Sequence, residues 1–443
     1  MNPLPEPVEK YLKKYSTGNW KLESRFKNKF DNVIVVPVIA EYNNLRKLLT
    51  SLLKNDNKHF KRTAIIIVVN NLPDSSDEVK NDNSETLIFL KTLRSNPNRD
   101  ESLGVQFGKS DLSIGFIDAS STDLELPKKI GGVGLARKIG MDETLKIFDY
   151  SSPAKKIIIC LDADCSVVSN YLTAVVDEFN SRNLSGAVVN FEHKIEEDSA
   201  TTPAIICYEI FLRYYVLGLK YANSPFAFHT IGSTMLCDYE SYIKVEGMNK
   251  KKAAEDFYFL EKLAKNLRVE NITSTIVYPS SRSSWRVPFG TGQRVERFLS
   301  DKQNEYLLYN PLTFDILKKW LEVFNSDRPK TSNEYLASAK NIHTELCNFL
   351  TEQNFSNDWN KILSNSKTLE QLSKQKQKWF DGFRTLKLIH YLRDKAFPQI
   401  DMFEALNGIF KRVGINEDFF WFEKSIPNLD VQKKYLKLLR ELT

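Results

Sequence analysis

The apolar and polar positions of the first two thirds of the chain fall into two alternating rhythms. Short continuous apolar runs at 33–40 (VIVVPVIA), 64–71 (AIIIVVNN), 112–120 (LSIGFIDAS), 156–164 (KIIICLDAD) and 186–193 (GAVVNFEH) read as buried parallel strands. A strand covered on both faces shows no polar alternation. Between them, Leu45, Leu48, Leu49 and Leu52, then Leu135, Ala136, Ile139 and Leu145, then Leu172, Val175, Val176 and Phe179 recur at helical spacing. Strand, helix, strand in this order predicts parallel βαβ units. The stretch 73–110 is polar and reads as a long loop with one helix around 85–94. After about residue 300 the strand-like runs stop. Periodic segments at 305–327, 333–354, 366–396, 401–412 and 430–441 predict a helical region. The expected division is an N-terminal extension (1–30), an α/β domain (31–300) and a helical C-terminal domain (301–443).

Composition narrows the class. The chain has 443 residues, 42% hydrophobic and 27% charged, enough to bury a large core. Its 62 basic and 56 acidic side chains leave a net charge of +6. That small excess fits an anionic substrate or a membrane surface and does not argue for a nucleic-acid binder. Five cysteines without a C-x-x-C pair argue against a zinc site or a disulfide framework and for a reducing compartment. The polar start MNPLPEPVEKYLKKY has no secretory h-region, and the longest apolar stretch, AIICYEIFLRYYVLGLKYA, is interrupted by Glu209 and Arg213. The expected location is cytoplasmic, with peripheral contact at the inner membrane face as an extension of that expectation.

Ligands of an open α/β sheet bind at the carboxyl ends of its strands. Those ends are Ala40–Glu41, Asn70–Asn71, Asp118–Ala119 and Asp162–Asp164. In IIICLDADCSV, Asp162 and Asp164 stand at i and i+2 and so face one way. Two facing carboxylates repel each other unless a cation joins them, and hard oxygen ligands suit Mg²⁺ or Mn²⁺ with a diphosphate completing the shell. The bland alternative is a pair of loop aspartates, one of them capping the next helix. Glu255 and Asp256 open a helix marked by Phe257, Leu260, Leu263 and Ala264, where the helix dipole favours ionised carboxylates. A carboxylate so placed near a donor can accept a proton from a hydroxyl; alone, it is an ordinary helix-start acid. Gly232 and Ser233 permit a close backbone approach of a ligand. GGVGLARKIG opens a helix with glycines and supplies Arg137, suited to a phosphate, or is simply a tight loop. His229 is the histidine nearest these motifs in sequence and reads as a core residue before a metal ligand. The segment 280–298 carries Arg282, Arg286, Arg294 and Arg297 with Trp285, Gly290 and Gly292. It reads either as a mobile lid over a diphosphate or as a basic surface loop.

In order and spacing, these motifs resemble the GT-A glycosyltransferases, family 2 above all, over roughly residues 30–300. The matching pieces are Pro37 through Glu41, Asp162 and Asp164, Glu255 and Asp256, and the glycine-rich segment with its Ala136–Arg137. The resemblance implies a GT-A, Rossmann-like mixed sheet flanked by helices. It also implies a nucleotide-sugar donor held near Pro37, Ala40, Glu41, Asn70, Arg137, Asp162, Gly232, Ser233 and Arg294. Mn²⁺ or Mg²⁺ would sit on Asp162 and Asp164, and Asp256 would act as base, with Glu255 beside it, in an inverting transfer. The acceptor would be a glycan, a lipid-linked glycan or a small molecule. Two departures stand out: Asn70 and Asn71 replace an acidic pair, and Gln293 to Arg297 with Phe298 is a poor Q-x-x-R-W. Two rival readings are a phosphatase of the haloacid dehalogenase type, which also uses D-x-D after a strand, and a nucleotide-binding regulator without catalysis.

Overall fold

The computed structural model describes residues 3–18, 20–95, 103–196, 199–282, 291–300, 304–326, 328–416, 420–423 and 425–443. They form two compact units. One comprises 1–194, 230–263 and 267–293, and the other 195–229, 264–266 and 294–443. The chain thus leaves the sheet unit and returns to it, which a single boundary near residue 300 does not anticipate.

The sheet unit begins with α1 (Glu6–Tyr15) and β1 (Leu22–Glu23), followed by β2 (Asn32–Val38), α2 (Tyr42–Leu53), β3 (Thr63–Asn70), α3 (Asp77–Ser95) and α4 (Leu103–Lys109). Next come β4 (Ser113–Ala119), α5 (Val133–Ile147), β5 (Ile157–Cys160), β6 (Ser166–Val167), α6 (Tyr171–Ser181) and β7 (Gly186–Phe191). After α7 (Thr202–Tyr221), which belongs to the other unit, come β8 (Met235–Asp238), α8 (Tyr239–Lys244), α9 (Glu255–Ala264) and β9 (Glu270–Tyr278). The nine strands lie in the order β1-β4-β3-β2-β5-β8-β7-β9-β6. β4, β3, β2 and β5 are parallel neighbours, β8 runs antiparallel between β5 and β7, and β9 pairs parallel with β7. The result is the expected mixed sheet flanked by helices. Every residue of β2 and β3 is buried, which is why their sequences are continuously apolar from Val33 to Val38 and from Ala64 to Val69, with polar residues only at the strand ends.

Two expectations are corrected here. The stretch 73–110, expected as a long loop with one helix around 85–94, contains that helix as part of the 19-residue α3 and also the shorter α4. The buried face of α3 runs through Val79, Asn83, Thr86, Leu87 and Leu90. Two of these positions are polar, so the apolar period is broken in the sequence although the helical one is intact. The second correction concerns 1–30, which is part of the sheet unit. Tyr11 of α1 donates a hydrogen bond to Asp142 of α5 at 2.8 Å, and β1 pairs with β4.

The second unit contains α7, α10 (Thr291–Leu299, which enters it at Arg294), β10 (Leu307–Leu308), α11 (Leu312–Phe324), α12 (Ser332–Ile342), α13 (Thr344–Glu352), α14 (Phe355–Asn365), α15 (Leu369–Trp379), α16 (Gly382–Lys395), β11 (Ile400–Asp401), α17 (Met402–Arg412) and α18 (Leu429–Leu442). It is helical as expected, apart from the two-residue strands β10 and β11, which pair antiparallel. Its core is aromatic: Trp320 stacks on Phe324 at 5.0 Å, and Trp359 on Phe355 at 5.9 Å. Among the described residues, α7 alone is long and apolar enough to cross a membrane, but 72% of its most apolar window is buried in the protein. Inside it, Glu209 and Arg213 pair at 2.8 Å, and Arg440 of α18 reaches the same carboxylate.

Candidate active site

The strand order places β3 and β4 on one side of β2 and β5 on the other. The connections after β2 and β5 therefore diverge, opening a crevice at their carboxyl ends, where open α/β sheets take ligands. Glu41 follows β2 there, and Asp162 and Asp164 follow β5.

The turn after β2 is held under strain. Ala40 lies at φ +50°, which a residue with a Cβ rarely adopts. Its N–H donates to Asn83 Oδ1 at 2.9 Å, and Asn83 Nδ2 donates to the Asn70 carbonyl and to Asn71 Oδ1. Asn70 in turn donates to the Val38 carbonyl at 2.9 Å. Pro37 is buried within β2, and Asn70 and Asn71 are buried at the end of β3. These residues, expected along the donor, build the floor of the crevice. Asn83 is the member that sequence reading missed, because it lay in the presumed loop.

Two arginines knit the carboxylates together. Arg137 of α5 is 2% exposed. It donates to Asp162 Oδ1 at 2.5 Å, to Glu255 Oε1 at 3.1 Å and to the Gly232 carbonyl at 2.9 Å. A Cβ on Gly232 would lie 2.2 Å from the guanidinium, so the glycine makes room for the arginine. Arg137, expected at a phosphate, and Gly232, expected at a ligand, thus meet each other in a carboxylate clamp. Arg282 bridges Glu41 and Asp164, at 3.3 Å from the latter, and Asn44 donates to the other oxygen of Glu41 at 2.6 Å.

Among the described residues, five carboxylates (Glu41, Asp162, Asp164, Glu255 and Asp256) thus share two guanidiniums. Their titration registers the crowding. Burial pushes the Glu255 carboxyl up to about 7, with Asp256 adding to the shift and Arg137 opposing it. Burial also raises Asp256, against a hydrogen bond from the Phe257 N–H. Asp164 is raised by burial and by Asp162, with Arg282 opposing. Glu255 is closed in against Arg137, whereas Asp256 is half-buried one residue further along α9.

No group of three or more His, Cys, Asp or Glu among the described residues is arranged to hold a metal. The protein supplies only Asp162 and Asp164, about one-third exposed, and that set fits an ion bound by one or two carboxylates with substrate phosphate oxygens. The excess of carboxylates over guanidiniums points the same way.

No protein-family model matches the chain, and no curated protein matches it. Among solved structures it is similar to S. aureus TarS 1–349 in complex with UDP-GlcNAc, at 14% identity and a TM-score of 0.40, over 90% of this chain and 98% of that one. A longer S. aureus TarS structure matches at 14% identity and a TM-score of 0.38, over 83% of this chain, which spans about half (53%) of that one. A mannosyltransferase from Pyrobaculum calidifontis, in complex with GDP-Man and Mn²⁺, matches at 13% and 0.36, over 88% and 95%. These are remote likenesses.

The remaining expected residues lie elsewhere. Arg294 and Arg297 belong to the helical unit, where both pair with Glu305 and Arg294 stacks over Phe211. Both guanidiniums thus meet one carboxylate, that of Glu305. Trp285, Arg286 and Gly290 lie outside the described residues. His229 is buried in the helical unit, and burial, with Arg213 and Lys220, holds its pKa well below the ordinary value.

Proposed function

We propose that the protein is a glycosyltransferase of GT-A type that moves a sugar from a nucleoside diphosphate to an acceptor hydroxyl with inversion. The observation that carries this reading is the gathering of Glu41, Asp162, Asp164, Glu255 and Asp256 around Arg137 and Arg282 at the diverging strand ends. Asp162 and Asp164 would hold Mn²⁺ or Mg²⁺. When bound, the ion neutralises charge on the departing diphosphate. Arg137 fixes the orientation of Asp162 from below and couples it to α9 through Glu255. Asp256, with its raised proton affinity, takes the proton of the acceptor hydroxyl, and Arg282 positions Glu41 and Asp164 against each other across the crevice. Glu255 acts as a positioning residue, since its carboxylate is spent on Arg137.

The test is release of nucleoside diphosphate from a panel of UDP-, GDP-, CDP- and TDP-sugars, with Mn²⁺ and with EDTA. One donor should turn over, EDTA should abolish it, and Asp164→Ala should lose the cation-dependent rise in melting temperature that the matching diphosphate gives wild type. Turnover indifferent to EDTA, or phosphate release from simple esters in its place, would sink the proposal.

A further inference from the structure

The carboxylate cluster repels acidic groups that no cation joins to it, yet it is flanked by a concentration of exposed lysines. Lys128 and Lys129 lie in the loop before α5, and Lys250, Lys251 and Lys252 in the loop before α9. The two loops are 121 residues apart in sequence at their nearest lysines (129 to 250) and are brought together by specific contacts. Lys252 Nζ donates to the Lys128 carbonyl at 2.8 Å. A Cβ on Gly134 would lie 2.4 Å from the Lys251 carbonyl and 3.0 Å from Glu255 Cβ, so the backbone of α5 touches the lysine loop and the acidic pair at once. Asn249 ties the loop down by donating to the Glu255 carbonyl at 2.7 Å, and Ala254 turns it into α9 at φ +56°. Lys251 lies 4.0 Å from the centre of the Tyr258 ring. Among these five lysines the described ion pairs supply one partner, Asp74 on Lys128 at 3.2 Å.

We infer that this rim recognises the acceptor, and that the acceptor is an acidic chain bearing phosphate or carboxylate groups. Five like charges on two loops held against each other repel one another, and the loop before α9 is strained at Ala254, so the fold keeps a concentration of positive charge at this rim at some cost. Lys250, Lys251 and Lys252 stand three to six residues before Glu255 and Asp256, and the Lys252 contact brings the Lys128 loop beside them, where an acceptor would pass to present its hydroxyl. The lysines raise the local concentration of an anionic chain, and the inner carboxylates keep its charged groups outside while a neutral hydroxyl enters. This rests on the transferase reading for what happens to the hydroxyl; the charge recognition itself does not.

The test uses the full chain with three oligomer probes of similar length: a phosphodiester-linked polyol, a polyuronate and a neutral glucan. A fourth probe is vesicles of phosphatidylcholine with phosphatidylglycerol. The acidic oligomers should bind and the neutral one should not, and binding should weaken as salt shortens the screening length from roughly 30 to 8 Å. Which acidic oligomer binds better identifies the anion. Lys250→Ser/Lys251→Ser/Lys252→Ser should weaken binding about tenfold or more, with an unchanged melting temperature, and the corresponding triple Lys→Arg variant should retain it. Equal binding of the neutral glucan, no loss in the serine variant, or capture by the vesicles alone would overturn the inference. Oligomer binding without release of nucleoside diphosphate from any donor would overturn the transferase reading and leave this one standing.

Discussion

Arg137 and Lys138 are consecutive residues of α5, both buried, and each is the hub of a different charged cluster. Arg137 faces the strand ends and serves Asp162 and Glu255, with Asp164, Asp256 and Glu41 close by. Lys138 faces away, toward α1 and α8. There it meets a single carboxylate, Asp142, at 3.1 Å, and the Tyr11 hydroxyl at 2.9 Å. Tyr11 and Tyr242 both donate to Asp142 Oδ1, at 2.8 and 2.7 Å. The second cluster is closed in charge: one base and two hydroxyls meet one acid, whose Oδ2 faces Lys138 Nζ at 3.1 Å without a hydrogen bond of its own. The first is open, with more acids than bases and oxygens directed at a crevice. A buried ion pair complete in itself is scaffolding, whereas a surplus of like charge has to be maintained by the fold and is resolved by a ligand. One helix thus holds both, and the comparison predicts that damage to the open cluster shows in turnover and damage to the closed one in stability.

The largest effect belongs to Asp256. Asp256→Asn keeps the shape and removes the basic oxygen, so turnover should fall about 10²–10⁴-fold with the melting temperature held. Normal turnover would remove Asp256 from the chemistry. A loss of stability of the same size as the kinetic loss would make the open cluster scaffolding too. The pH profile sharpens this. Because Glu255 is pushed up to about 7 and Asp256 is raised beside it, the pair takes up a proton as pH falls through 7. Turnover should therefore fall below about pH 7, well above the range in which an ordinary carboxylate would titrate. Stability should move the other way. A carboxyl with a raised folded pKa binds its proton more tightly when folded, so its contribution is present below the unfolded value near 4.5 and is lost as pH rises through 7. An acid limb at pH 4–5 would show that Asp256 works in a more solvated setting.

At the closed cluster, Asp142→Ala should cost about 3–5 kcal/mol of stability, since it strands Lys138 and two tyrosine hydroxyls in the interior. Chemical denaturation measures it as a lowered midpoint. Turnover per folded molecule should stay near wild type. A selective loss of activity would mean that the two faces of α5 are coupled.

The sheet was legible because a parallel core leaves an unmistakable trace: β2, β3 and β5 are unbroken apolar runs, with Asn32, Thr63 and Asn70 only at strand ends. β8 was harder, because MLCD at 235–238 is four residues long and ends in an acid. β9 reads ENITSTIVY, with polar residues at its exposed positions, and so imitates a loop. The first two turns of α3 were missed at Asn83, a polar group whose partners are backbone and side-chain amides that only the folded chain assembles. At the site, the five acids could be named from strand ends and a helix start. The role of Arg137 could not. An arginine after glycines suits a phosphate, and nothing in the local sequence says that Gly232, 95 residues on, has given up its Cβ to admit the guanidinium.

The smallest effect is also the most diagnostic of why residues 1–30 belong to the sheet unit. The Tyr11 hydroxyl both accepts from Lys138 and donates to Asp142, so it extends the ion pair into α1, while its ring packs against Tyr15 and Tyr242 at 5.4 and 5.6 Å. Tyr11→Phe keeps that packing and deletes only the hydroxyl, which isolates the polar part of the docking. Hydrogen bonds to charged groups are worth about 1.5–3 kcal/mol, and the loss should fall in that range because Lys138 and Asp142 still hold each other at 3.1 Å. Tyr242→Phe should cost a similar amount, since Tyr242 donates to the same oxygen. The two substitutions combined should cost more than their sum, because the second removes the last hydroxyl from a buried carboxylate. Simple additivity would mean that water replaces the hydroxyls and that the cluster is less closed than its geometry indicates.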